Sequence, residues 1–85
     1  MPKVEIYTKF ACPYCMQAKA LLKKKGVHII DIPAWTDKAR RTEMNERSGG
    51  RDTFPQIFIN GEHIGGYDDL RELDEQGGLA RFLTT

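Results

Sequence analysis

Two runs of strand-forming residues, Val4-Glu5-Ile6-Tyr7 and Val27-His28-Ile29-Ile30-Asp31-Ile32, flank one helix-forming stretch. That arrangement narrows the possible folds more than any other feature of the chain. The first run alternates and predicts a strand over about residues 3–8. After it, Pro13 suits the first position of a helix, and Ala18, Leu21 and Leu22 form a stripe for burial. Lys23-Lys24-Lys25 meets the negative end of that helix before Gly26 stops it. The second run is apolar and β-branched enough for a strand buried on both faces, with Pro33 ending it. Two strands joined by a helical crossover pair in parallel through a right-handed connection.

The rest of the chain extends this unit. Thr36 or Asp37 can cap a second helix running to about Ser48. Its apolar positions, Ala39 and Met44, are sparse, and Gly49-Gly50 follows. Gln56-Ile57-Phe58-Ile59, Asn60-Gly61 and Glu62-His63-Ile64 read as a hairpin, because Asn-Gly supplies the positive φ values of a type I′ turn. After Gly65-Gly66, Asp68-Asp69 opens a third helix bearing Leu70 and Leu73. Gly77-Gly78 separates it from a last amphipathic turn with Leu79, Phe82 and Leu83. The order β-α-β-α-β-β-α predicts an α/β protein of thioredoxin-like plan, a four-stranded mixed sheet with helices on both faces. With 85 residues, 40% of them hydrophobic, residues 1–85 read as one small domain.

Composition removes several classes of function. Thirteen basic and twelve acidic side chains leave a formal charge of +1, so no overall field draws nucleic acid or an anionic membrane. No stretch approaches the roughly 20 apolar residues of a membrane span, and Met1 to Glu5 lacks the apolar region of a secretory signal. The expectation is a cytoplasmic protein. Cys12 and Cys15 are the two cysteines present, and a loop this short constrains the unfolded chain too little to act as a staple. Their spacing points to reactivity.

Cys12-Pro13-Tyr14-Cys15 can close to a disulfide or open to a dithiol. Cys12 stands where the chain enters a helix, so free backbone N–H groups face its sulfur and favour the nucleophilic thiolate, with Lys9 adding a nearby cation. Cys15 lies one turn further in, on the same face, as the more buried, resolving thiol. Tyr14 offers a phenol at the rim. A structural zinc site is the competing use of C-x-x-C. It needs two more ligands, and His28 and His63 are isolated in strand segments without metal-ligand spacing. No metal is expected.

Taken together, four segments resemble the dithiol glutaredoxins, particularly the small bacterial type. They are Lys9-x-x-Cys12-Pro13-Tyr14-Cys15, Arg51-x-Thr53-Phe54-Pro55, Gln56-Ile57-Phe58-Ile59 and Gly65-Gly66-Tyr67-Asp68-Asp69-Leu70. The resemblance covers nearly the whole chain. It implies glutathione as co-substrate, a cis bond between Phe54 and Pro55, and pairing of the Phe54 backbone with glutathione, with Thr53 lining the same groove. Tyr67 N–H and Asp68 would then hold the γ-glutamyl end, beside Gly66, with Lys9 near the glycyl carboxylate. A glycine that admits a ligand, followed by helix-start N–H groups, suits a carboxylate on physical grounds too. Asp68 also reads as the cap of the third helix. Two positions depart from the family: Phe54 stands where valine is usual, and Tyr67 where a small residue or cysteine is frequent.

The resemblance implies a monomeric enzyme that reduces protein disulfides and glutathionylated proteins, and one that donates electrons to reductive enzymes such as ribonucleotide reductase. Two other readings compete with it. One is a redoxin fed by thioredoxin reductase, against which Lys9, Tyr14 and Asp68 count. The other is an iron–sulfur carrier, which proline after the first cysteine generally disfavours in the family. Trp35 reads as a partly buried packing residue, and Tyr7 and Phe58 as core or sheet surface. Arg40, Arg41 and Arg47 read as a solvated face from which one arginine reaches glutathione, and Arg51 reads as either a groove or a surface residue. His28 and His63 read as strand residues without catalytic duty.

Overall fold

The computed structural model describes residues 2–83. Its elements are β1 (Val4–Thr8), α1 (Pro13–Lys24), β2 (Ile29–Pro33), α2 (Lys38–Arg47), β3 (Gln56–Ile59), β4 (Glu62–Gly65), α3 (Tyr67–Glu75) and α4 (Gly78–Leu83). The sheet runs in the order β2-β1-β3-β4. β1 pairs in parallel with β2 and antiparallel with β3, which pairs antiparallel with β4. This is the expected α/β plan, with the last amphipathic turn forming α4.

Strand alternation builds two cores from one sheet. Val4 and Ile6 of β1 with Ile57 and Ile59 of β3 meet Ala18 and Leu22 of α1, Leu70 of α3 and Leu79 of α4. Tyr7 and Phe58 point the other way, toward Met44 of α2 and Ala34. The β3–β4 turn has Asn60 at φ 54° and Gly61 at φ 82°, as a type I′ turn requires.

Three expectations need correction. β2 is an edge strand rather than one buried on both faces, with Ile30 40% exposed and Asp31 open to solvent. Its β-branched run reflected strand propensity, whereas burial on both faces requires elements packed over each face of the strand. Second, Arg47 is not part of a solvated face. Its guanidinium grips the Glu5 carboxylate at 2.9 and 3.1 Å, donates to Tyr7 Oη at 2.8 Å and lies 4.1 Å from the Phe58 ring centroid. The Tyr7 hydroxyl donates in turn to Glu43 Oε2 at 2.5 Å. Met44 is the one buried residue of α2, so the helix docks through this polar network as much as through apolar contact.

The third correction concerns α3. Gly66 is its N-cap, and Asp69 Oδ2 accepts the Gly66 N–H at 2.9 Å. The capping carboxylate is therefore Asp69, three residues into the motif, and Asp68 takes no part. At the second helix the cap is Asp37, whose Oδ1 accepts the Arg40 N–H at 3.1 Å. Among the described residues no helix is long and apolar enough to cross a membrane.

Candidate functional site

β1 delivers the chain to the site through Lys9, Phe10 and Ala11, the last at φ 54°. Cys12 is the N-cap of α1, Pro13 takes the first helical position, and Cys12 Sγ accepts the backbone N–H of Cys15 at 3.2 Å. A sulfur thus satisfies one of the donors that every helix start leaves free. Both cysteines are free thiols.

The two sulfurs do not divide into an exposed and a hidden thiol. Cys12 is 3% exposed and Cys15 2%, because the Cys12 side chain folds back over the first turn to make its capping bond. The asymmetry lies elsewhere. Burial, reinforced by the hydrogen bond with Cys12, pushes the Cys15 thiol up to about 12, against the opposing pull of the Lys9 backbone and the Lys19 charge. Cys15 is therefore held as a thiol at neutral pH, while its own backbone N–H, at the head of α1, is donated to Cys12 Sγ.

Beside this turn lies a groove of about 230 Å³, lined by Tyr14, Arg51, Thr53, Phe54, Pro55, Gly66, Tyr67, Asp68 and Asp69. The Phe54-Pro55 bond is cis. The Tyr14 and Tyr67 rings stack with centroids 6.2 Å apart, and Arg51 Nη1 is 3.6 Å from Asp69 Oδ2. Asp69 is occupied by Arg51 and the Gly66 N–H, whereas Asp68 is exposed and has no hydrogen bond or ion pair among the described residues. Seven of the eight residues expected around the thiols line this groove together. Lys9 does not. It lies 5.3 Å from the Trp35 ring centroid and lines a separate cavity, of about 340 Å³, with Cys12, Cys15, Phe10 and Met16.

A glutaredoxin family model matches residues 4–64, which takes in the thiols and the Thr53-Phe54-Pro55 segment. The chain belongs to the glutaredoxin family. It is 58% identical over 83 residues to glutaredoxin 3 of Escherichia coli K12, covering 98% of this chain and 99% of that one. Glutaredoxin of Pseudomonas aeruginosa is 44% identical over 84 residues, covering 99% of each. Among solved structures, the glutaredoxin of Brucella melitensis superposes with a TM-score of 0.82 at 52% identity, covering 95% of this chain and 87% of that one. A buckwheat glutaredoxin–glutathione complex gives 0.85 at 28% identity, covering 96% and 76%. The protein is thus a thiol oxidoreductase of the glutaredoxin class.

In this glutaredoxin the two unusual side chains sit on the groove itself. Phe54 meets Trp35 edge-on at 6.2 Å, and Tyr67 carries Arg71 at 5.8 Å from its ring centroid. Trp35 is half exposed, in keeping with a partly buried residue, and lies between the Lys9 and Arg41 cations. Sequence reasoning underrated Arg51 and overlooked Gly65. The Gly65 backbone has φ 122°, and a Cβ there would stand 2.3 Å from Asp69 Oδ2. The signal for both was the spacing of Gly66 and Asp69, an N-cap followed three residues later by a carboxylate.

Proposed function

We propose that this glutaredoxin reduces glutathione mixed disulfides and protein disulfides, with Cys12 as nucleophile and Cys15 as resolving thiol. The reading treats residues 1–85 as one functional domain. The observation that carries it is a helix-capping cysteine beside a groove whose one unpaired carboxylate, Asp68, stands at the start of α3. Glutathione offers a matching charge pair: an α-amino group for Asp68, and an α-carboxylate for the Tyr67 and Asp68 N–H groups at the positive end of that helix. The Phe54 backbone beside Pro55 and the side chains of Tyr14 and Thr53 would flank its cysteine. Lys9, outside this groove, is left to a substrate part reaching the second cavity.

On a glutathionylated protein, the Cys12 thiolate attacks the glutathione sulfur, forming a Cys12–glutathione disulfide and releasing the protein thiolate. A second glutathione thiolate attacks that disulfide on the glutathione sulfur, freeing Cys12 and leaving oxidised glutathione. On a protein disulfide, Cys12 forms a mixed disulfide with one substrate sulfur and releases the other. Cys15 loses its proton, attacks Cys12 Sγ and expels the substrate sulfur still bound to it. The resulting Cys12–Cys15 disulfide is returned to the dithiol by two glutathiones. Burial of Cys15 keeps it protonated until this second step. Reductive enzymes such as ribonucleotide reductase that close a disulfide in each turnover are fitting clients, and a monomer in the cytoplasm is the fitting setting.

The test is a pair of variants assayed on a glutathionylated peptide and on a protein disulfide. Cys12→Ser is expected to lose both activities. Cys15→Ser is expected to keep deglutathionylation within about threefold while losing most protein-disulfide reduction. Retention of either activity by Cys12→Ser overturns the assignment.

A further inference from the structure

His63 and Gln56 touch neither thiol and do not line the glutathione groove, yet they are joined to it by an unbroken line of hydrogen bonds. Gln56 is fully buried at the start of β3. Its side chain turns back along the chain, and Nε2 donates to the Thr53 carbonyl at 3.0 Å and to Thr53 Oγ1 at 3.1 Å. This clasp closes the loop that carries Thr53, Phe54 and Pro55 into the groove. Behind it, His63 Nε2 lies 2.7 Å from Gln56 Oε1.

The orientation of each group follows from its neighbour. A carbonyl oxygen only accepts, so the Thr53 carbonyl requires the amide nitrogen of Gln56 to face it. The amide oxygen then faces His63, and the imidazole must carry its proton on Nε2. The opposite amide orientation would set two acceptors, Gln56 Oε1 and Thr53 O, against each other. His63 is fixed in turn by its place opposite Phe58 in the β3–β4 register, with ring centroids 5.0 Å apart. Burial and the Arg51 charge hold its imidazole below the usual histidine range, against the opposing pull of Asp69, which favours the neutral ring.

We infer that His63, acting through Gln56, is a positioning residue for the glutathione-binding loop and sets the preference for the glutathionyl group without contributing to the thiol chemistry. The chain of contact is specific. His63 fixes the Gln56 amide, the amide fixes both polar atoms of Thr53, and Thr53 sets where the backbone of Phe54 meets the ligand. A small displacement of that backbone costs binding of the glutathionyl group and leaves the Cys12 sulfur, which caps α1 and does not line the groove, unchanged.

The inference rests on glutathione occupying the groove, and the experiment separates the two claims. Single-turnover rates are measured on one peptide carrying its cysteine as a disulfide with glutathione and, separately, with cysteamine; the ratio of the rates is the glutathionyl preference. The unsubstituted protein is expected to prefer glutathione strongly, and equal rates would remove the groove assignment itself. His63→Leu leaves the buried Gln56 oxygen without a donor and is expected to lower the ratio about fivefold, the effect of one lost hydrogen bond, with the cysteamine rate unchanged. His63→Gln restores an N–H donor and is expected to return the ratio to within about twofold of the parent. The positioning role is overturned if His63→Leu keeps the full ratio or lowers both rates together, or if His63→Gln fails to restore the preference in a protein that melts as the parent does.

Discussion

Cys12 Sγ accepts an N–H bond at a position where serine, threonine or aspartate commonly caps a helix. One residue thus combines a folding role with the assigned nucleophilic one. Gly65 is the residue on which the other wall depends. Its φ of 122° and the 2.3 Å that would separate a Cβ from Asp69 Oδ2 leave no room for a side chain. Gly65→Ala is expected to destabilise the fold by about 1–3 kcal/mol through backbone strain and the displaced carboxylate. Urea denaturation of the reduced protein measures this, and an unchanged midpoint would mean that Asp69 moves without cost. The sequence showed a glycine pair here and suggested ligand approach. Which glycine is strained, and that Asp69 rather than Asp68 caps, depends on how the chain leaves β4, a geometry that composition does not encode.

α2 is attached to the sheet by charge. Arg47 carries the attachment, held between Glu5 and Tyr7 and lying over Phe58. The guanidinium holds the Glu5 carboxyl below its ordinary value of 4.5, with burial opposing it. A carboxyl whose folded pKa is lowered stabilises the fold above its ordinary pKa and loses that contribution as pH falls through the lowered value. Arg47→Met is therefore expected to cost about 1–3 kcal/mol at pH 7, with the gap to the parent narrowing below about pH 4 as Glu5 protonates in both. Thermal or urea melts across that range check it, and a gap independent of pH would assign the loss to packing alone. The strands, the crossover and the Asn60-Gly61 turn were legible because each has a local cause in propensity or backbone freedom. The Arg47 network was not, because Glu5 and Arg47 are 42 positions apart and only the β1–α2 packing brings them together. For the same reason β2 was misread as buried on both faces, since what covers a strand is decided by tertiary packing and not by the strand's own residues.

At the scale of the whole molecule, the first turn of α1 stands beside two separate cavities. One, of about 230 Å³, joins Tyr14 to the Thr53–Pro55 loop and the head of α3; the other, of about 340 Å³, is lined by both thiols with Lys9, exposed Phe10 and exposed Met16. The motif residues of the first cavity were readable as a set because the family resemblance links them. Which cavity each residue joins was not readable, and Lys9 fell on the unexpected side because its side chain lies over Trp35. The assignment of the groove to glutathione is open to one decisive measurement. Cys15→Ser protein, trapped as the Cys12 mixed disulfide with isotopically labelled glutathione, is examined by NMR for contacts between ligand and protein. The expected result is close approach of the γ-glutamyl group to Tyr67 and Asp68, and of the glutathione cysteine to Phe54. Contacts to Phe10 and Met16 instead, with none to Tyr67 or Asp68, would contradict it.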